Sequence, residues 1–323
     1  MSVLPFKPAE RLTVRPEEHR WLVESLWAEE AVGIVGGEPK CFKSFLALDV
    51  AVAVASGAPC LRRFAVHRPG RVLLYAAEDA LDTVRRRIDG ICHAAGVPIA
   101  GLNLQVITVP LLRLDVEIDR RDLTETVAAL RPRLLILDPF VRLHRVDENA
   151  SGEVAPLLAY LRDLQRRHQL AVIVVHHARK GAARLRAGQA LRGSSEFHAW
   201  GDSNLYVRRT GDQITLSVEH RAAASHAGIT LELRQSGDAL ALDVIAREAV
   251  ADPASADARV GSAPPPHDRV ERALAEAPEP LTVAALRAAC RIRTATLCDI
   301  LADLVRQGRV RRTPTGYVPN PAA

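Results

Sequence analysis

The sequence has no apolar run long enough to span a bilayer, and its opening Met1-Ser2-Val3-Leu4-Pro5 lacks a signal-peptide core. The expectation is a cytoplasmic protein with no membrane partner. Cysteine is sparse: Cys41, Cys60, Cys92, Cys290 and Cys298 are odd in number, scattered and without C-x-x-C spacing. That pattern argues for a reducing compartment and against a structural zinc. Lysine is sparser still. Of 43 basic residues only Lys7, Lys40, Lys43 and Lys180 are lysines. A compact point charge on a flexible stem is not interchangeable with a planar fork, so the retained lysines mark places to inspect. No internal repeat is visible. The formal charge of +5 permits nucleic-acid binding without requiring it.

Two of the four lysines fall in one stretch, Gly36-Gly37-Glu38-Pro39-Lys40-Cys41-Phe42-Lys43-Ser44-Phe45. It lies between an apolar run, Ala31 to Val35, and a helical pattern starting at Phe45. Strand, glycine turn, Lys-Ser and helix is the setting of a phosphate-binding loop, with template G-x-x-x-x-G-K-[ST]. Gly37, Lys43 and Ser44 fit, while Phe42 stands where the template has its second glycine. Backbone N–H groups of such a turn cradle phosphate oxygens, aided by the helix N-terminus. Lys43 is expected to reach the β- and γ-phosphates and Ser44 to hold Mg²⁺, making ATP and Mg²⁺ the implied ligands.

The rest of the chain alternates strands and helices. Residues 1–30 form a preamble that packs on the core, with Trp21 to Trp27 as a short strand or helical turn. Apolar runs predict strands at Val32–Gly36, Arg71–Ala76, Leu102–Val109, Leu134–Asp138 and Leu170–Val175. Helical patterns separate them at Phe45–Ala53, Ala80–Gly96, Asp119–Leu130 and Glu153–His168. Continuous apolar strands indicate an α/β, mostly parallel sheet with helices on both faces. Alternating patterns at Leu205–Arg209, Ile214–Val218, Ile229–Leu233 and Leu240–Ile245 suggest antiparallel strands extending it. Residues 31–248 make one domain. Residues 249–267, rich in proline, form a linker. Residues 268–318 hold three short helices and a two-stranded wing, the pattern of a winged helix.

In such sheets ligands bind at strand carboxyl ends. Four features fall there: the phosphate loop, Glu78, Asp138 and His176. Asp138 is the expected carboxylate beside the metal. Glu78 is expected on a strand next to the loop strand, orienting the attacking water, with Asp79 as helix cap; the alternative is that Glu78 caps the helix and Asp79 is solvated. His176 is positioned to sense a γ-phosphate, or is simply structural.

The ordered set Gly-x-Pro-Lys-x-x-Lys-Ser, Ala-Glu-Asp, Leu-Leu-Ile-Leu-Asp, His-His-Ala-Arg-Lys-Gly and Arg192-Gly193-Ser194-Ser195 resembles the RecA-like ATPases of the plasmid RepA hexameric helicase type. More distantly it is similar to the DnaB and RadA/KaiC branches. The resemblance covers about residues 20–245. It implies a homo-oligomer, a hexameric ring with ATP at subunit interfaces and an arginine from the neighbour. The RepA arginine position is Asp202 here, so that finger does not carry over; Arg209 and Arg221 match later positions loosely. Facing a ring channel, Arg179, Lys180, Arg184 and Arg186 would follow a single-stranded DNA backbone.

In the winged helix, seven arginines face two aspartates between 281 and 323. Arg291, Arg293, Thr294 and Thr296 at the third helix are candidates for the major groove of double-stranded DNA. Arg311 and Arg312 in the wing are candidates for phosphate or minor groove. The implied function is an ATP-driven helicase or translocase of a mobile element. The alternatives are an ATP-switched DNA-binding regulator without unwinding, or a scaffold or signalling ATPase that does not touch DNA.

Overall fold

The computed structural model describes residues 4, 6–12, 16, 19–177, 196–237, 239–245, 266–277, 279–290 and 294–320. The chain divides into two compact units, Met1–Ala246 and Arg247–Ala323. The basic stretch with Arg179, Lys180, Arg184 and Arg186, the Arg192–Ser195 motif, nearly all of 249–267, Arg291 and Arg293 lie outside the described residues.

In the first unit two short antiparallel strands come first, β1 (Trp21–Val23) and β2 (Trp27–Ala28). Trp27 is fully buried and its indole N–H donates to the Ala31 carbonyl, so this hairpin is part of the core. The main framework follows as β3 (Val32–Gly37), α1 (Lys43–Ser56), β4 (Val72–Ala76), α2 (Leu81–Ala95), β5 (Leu104–Val106), α3 (Glu117–Leu130), β6 (Leu134–Asp138), α4 (Ser151–His168) and β7 (Ala171–His177). A short helix α5 (Glu196–Trp200) leads into β8 (Ser203–Thr210), β9 (Gln213–His220), β10 (His226–Ser236) and β11 (Ala239–Val244).

These strands form one nine-stranded sheet in the order β11-β10-β9-β8-β3-β7-β6-β4-β5. From β8 to β5 all pairings are parallel; β8 to β11 pair antiparallel. The α/β sheet and its antiparallel extension agree with the sequence reading. The third strand is shorter than expected, because only Leu104–Val106 pairs with β4. The strand order also corrects one expectation. β4, which leads to Glu78, is not next to the loop strand; β7 and β6 lie between them.

Both sheet faces are apolar because helices cover both. One face carries Val35, Val175, Leu205 and Val207 against α1 and α2; the other carries Ile34, Val174 and Leu137 against residues of α3 and α4. Burying each such side chain contributes roughly 1.5–3 kcal/mol, before the entropic cost of ordering the chain. Helix α1 is buried on nearly every side from Leu46 to Val54. Its one buried carboxylate, Asp49, is held by the Leu61 N–H at 2.6 Å and by Arg62 at 2.7 Å.

The second unit has its own small core, with Val270, Leu274, Leu286, Leu297, Leu301 and Leu304 buried together. It contains α6 (Pro266–Glu276), α7 (Val283–Cys290), α8 (Thr294–Arg306) and an antiparallel hairpin, β12 (Val310–Thr313) with β13 (Gly316–Pro319). Thr294 and Thr296 lie in the first turn of α8, and Arg311 and Arg312 are exposed on β12.

Candidate nucleotide-binding site

The sheet register builds the site. Gly36 and Gly37 at the end of β3 pair with His176 and His177 of β7, and Gly37 also pairs with Val207 of β8. The chain then turns through Glu38–Phe42 into α1. At Gly37, φ is +157° and a Cβ would lie 2.3 Å from the Val207 carbonyl oxygen, so only glycine fits. The result is a cleft of about 420 Å³ at the carboxyl end of the sheet. Lys40, Phe42, Lys43, Ser44 and Phe45 line it from the turn and α1. Glu78, Asp79 and Arg87 line it from β4–α2, Asp138 and Pro139 from β6, Val175 and His177 from β7, and Arg209 from β8.

Lys43 is buried, and its Nζ donates to the Glu38 carbonyl at 2.8 Å. Burial lowers its pKa, opposed by Cys41 and Asp138. Cys41, beside it at 3.9 Å, has its thiol pKa raised by burial and stays protonated. Asp138 is pushed up to about 6, chiefly by burial, while a hydrogen bond from Ser44 pulls the other way. At neutral pH the buried floor of the cleft therefore carries the Asp138 carboxylate and the Ser44 hydroxyl beside the Lys43 side chain. Hard oxygen ligands of this kind suit Mg²⁺, and the turn's N–H groups with Lys43 suit phosphate, so the residues present fit Mg²⁺ and a nucleoside triphosphate. Glu78 is half exposed and accepts from Arg142 Nε at 2.9 Å. Asp79 is ion-paired with Arg87.

Phe42 is the departure from the template, and its backbone is left-handed, with φ +70° and ψ 25°. That region favours glycine; a bulky residue there costs roughly 1–3 kcal/mol unless its surroundings hold it. Lys40 shares this conformation at φ +63°.

The structure brings Lys43, Ser44, Glu78, Asp138 and Arg209 to one cleft. Glu78 arrives from a strand three places away, through the turn after β4. His176 is not among them. Its side chain points to the opposite face of the sheet, 1% exposed, stacked on Phe197 with ring centroids 4.1 Å apart. Glu148 Oε1 lies 3.8 Å from its Nδ1. Successive strand residues face opposite ways, so the cleft side chain is His177, which sequence reading passed over. Arg221 is also elsewhere. It follows β9, which runs antiparallel to β8, so it lies at the other end of the sheet, 3.3 Å from Asp202.

A mostly parallel sheet whose loop strand, buried helix and acid-tipped strand converge on one cleft is a P-loop ATPase domain with the RecA-like fold. A family model described as an AAA domain matches residues 2–183, more than half of the chain, and the chain belongs to that family. Among solved structures, that of a DnaB-like replicative helicase, described with its interactions with primase, is similar with a TM-score of 0.50 and 11% identity. The match covers 66% of this chain and 57% of that one, and its bearing is on the fold.

Proposed function

We propose that this chain is an ATP-hydrolysing, oligomeric, DNA-associated motor, a replicative helicase or translocase of the plasmid RepA type. The observation that supports it best is the meeting of Lys43, Ser44, Asp138 and Glu78 in one cleft beside a glycine turn. Lys43 and the turn, Gly37 to Phe45, hold the phosphates. Ser44 and Asp138 hold Mg²⁺, which when bound offsets the charge developing on the transferred phosphoryl group. Glu78 orients the attacking water. His177 takes the sensing position first given to His176. Lying far from its own cleft, Arg221 is the residue offered to a neighbour's cleft in a hexameric ring. Arg179, Lys180, Arg184 and Arg186 contact single-stranded DNA. The C-terminal unit is a winged helix that meets duplex DNA through Arg291, Arg293, Thr294, Thr296, Arg311 and Arg312.

The test is ATP turnover by wild type and Lys43→Ala, with and without single-stranded DNA, beside a strand-displacement assay. The reading expects DNA-stimulated turnover with unwinding, abolished in the variant. Turnover with salt-sensitive DNA binding but no unwinding identifies an ATP-switched regulator. Turnover with no DNA binding identifies a scaffold or signalling ATPase. A Lys43→Ala chain that hydrolyses ATP normally overturns the site.

A further inference from the structure

Phe42 sits in a backbone conformation that favours glycine, at a template position that is glycine. Such a residue persists only where its surroundings compensate, and the compensating contacts are specific. The Phe42 ring meets Phe45 edge to face at 6.1 Å, and the Arg209 guanidinium lies over it at 5.3 Å from the centroid. On its other side Arg209 Nε donates to the Gly211 carbonyl at 3.0 Å. Arg209 is thus clamped between its own hairpin turn and the phosphate loop of the same chain.

Register explains why it reaches there. Val207 pairs with Gly37, and Val207 belongs to the face that packs on α1. Arg209 is two residues further along β8, on the same face, and lines the cleft beside the turn proposed to hold the phosphates. The other nearby arginine, Arg87, is ion-paired with Asp79. Among the described residues no carboxylate pairs with Arg209. Its charge is held at the mouth of the cleft by an aromatic face, which orients a cation without neutralising it.

We propose that Arg209 is a catalytic arginine acting in cis on the terminal phosphate, and that Phe42 is its positioning residue. The glycine of the template is replaced because a ring is needed there, not because the site has decayed. This rests on the ATPase reading above. It also removes Arg209 from the residues one subunit lends to another.

Four measurements test it. Arg209→Ala is expected to lower kcat by about 10³-fold, the lower range for an arginine stabilising phosphoryl transfer. Phe42→Gly restores the template and removes the backbone strain, yet is expected to lower kcat about tenfold with KM within about twofold, while Phe42→Tyr retains turnover. Mixing Lys43→Ala with Arg209→Ala chains is expected to recover nothing, because no single chain then holds both residues. Without nucleotide, the unfolding midpoints of Phe42→Gly, Arg209→Ala and the double variant are expected to be non-additive. Recovery of turnover in the mixture overturns the cis role. Phe42→Gly turnover equal to or above wild type overturns the positioning role, as do additive midpoints. A wild-type chain with no Lys43-dependent turnover fails the ATPase reading and Arg209's catalytic role with it; the nucleotide-free midpoints still decide the Phe42–Arg209 contact.

Discussion

Ser44 hydrogen-bonds Asp138, tying the first turn of α1 to the tip of β6 at the floor of the cleft. Asp138 is 8% exposed and its pKa is raised to about 6 from 3.8, mainly by burial. A carboxyl whose folded pKa is raised binds its proton more tightly in the folded state. Its contribution to stability is present below the unfolded pKa and is lost as pH rises through the folded one. In metal-free protein, ionised Asp138 therefore costs up to about 3 kcal/mol at neutral pH. Asp138→Asn is expected to be more stable than wild type at pH 7 in EDTA, with the difference closing below about pH 4. Urea unfolding at several pH values measures this, and an equal difference at pH 4 and pH 7 refutes it.

Arg142 donates to Glu78 across an exposed surface, so that ion pair contributes little stability. Arg142→Ala is expected to leave unfolding within about 0.5 kcal/mol of wild type. Glu78→Gln is expected to keep nucleotide binding and lose roughly 10²–10⁴-fold in turnover, the range for a positioned acid–base group. Isothermal titration beside steady-state kinetics separates the two effects. Loss of binding with unchanged kcat would remove Glu78 from the hydrolytic role.

How much of this was legible in the sequence depended on which physical signal each residue carried. Val32–Gly37, Leu134–Asp138 and Ala171–His177 are unbroken apolar runs ending in a glycine, an acid and a histidine, so the strands and the polar residues at their ends were readable. Neighbours were not. An apolar run states that a strand is buried, not what lies beside it, so β4 was placed next to β3 when two strands intervene. The side-chain face was not readable either. With both faces of β7 buried, no polar alternation marks which of His176 and His177 meets the cleft. The left-handed turn at Phe42 leaves no trace in composition, because phenylalanine is not a residue expected there. Arg209 was identified as a candidate, but its placement at its own chain's loop depends on the Gly37–Val207 register.

The two histidines give a direct check on the face assignment. His176 is packed between Phe197 and Phe140, so His176→Ala leaves a cavity and is expected to destabilise by roughly 2–4 kcal/mol. His177 is partly exposed at the cleft, and His177→Ala is expected to stay within about 1 kcal/mol of wild type while lowering ATP turnover. Thermal unfolding and turnover of both variants decide it. A stable His176→Ala chain with lost turnover would return the sensing role to His176.

Gly33, the second residue of β3, tests the close approach of β3 and β8 beneath the site. A Cβ there would meet the Ser203 carbonyl oxygen at 1.7 Å and the Trp27 ring at 3.1 Å. Neither can withdraw easily. Ser203 is in β8, which is paired with β9 on its far side, and Trp27 is fully buried. Gly33→Ala must therefore push β8 from β3, moving Val207 and Arg209 from the phosphate loop. The expected cost is more than about 3 kcal/mol, seen as loss of soluble protein or an early urea midpoint. Gly152, in the first turn of α4 with nothing within 4 Å of its Cβ position, is the control. Gly152→Ala is expected to be neutral or to stabilise by up to about 1 kcal/mol, from helix propensity alone. Equal midpoints for the two variants would show that β3 and β8 are not packed as closely as the Gly33–Ser203 approach requires.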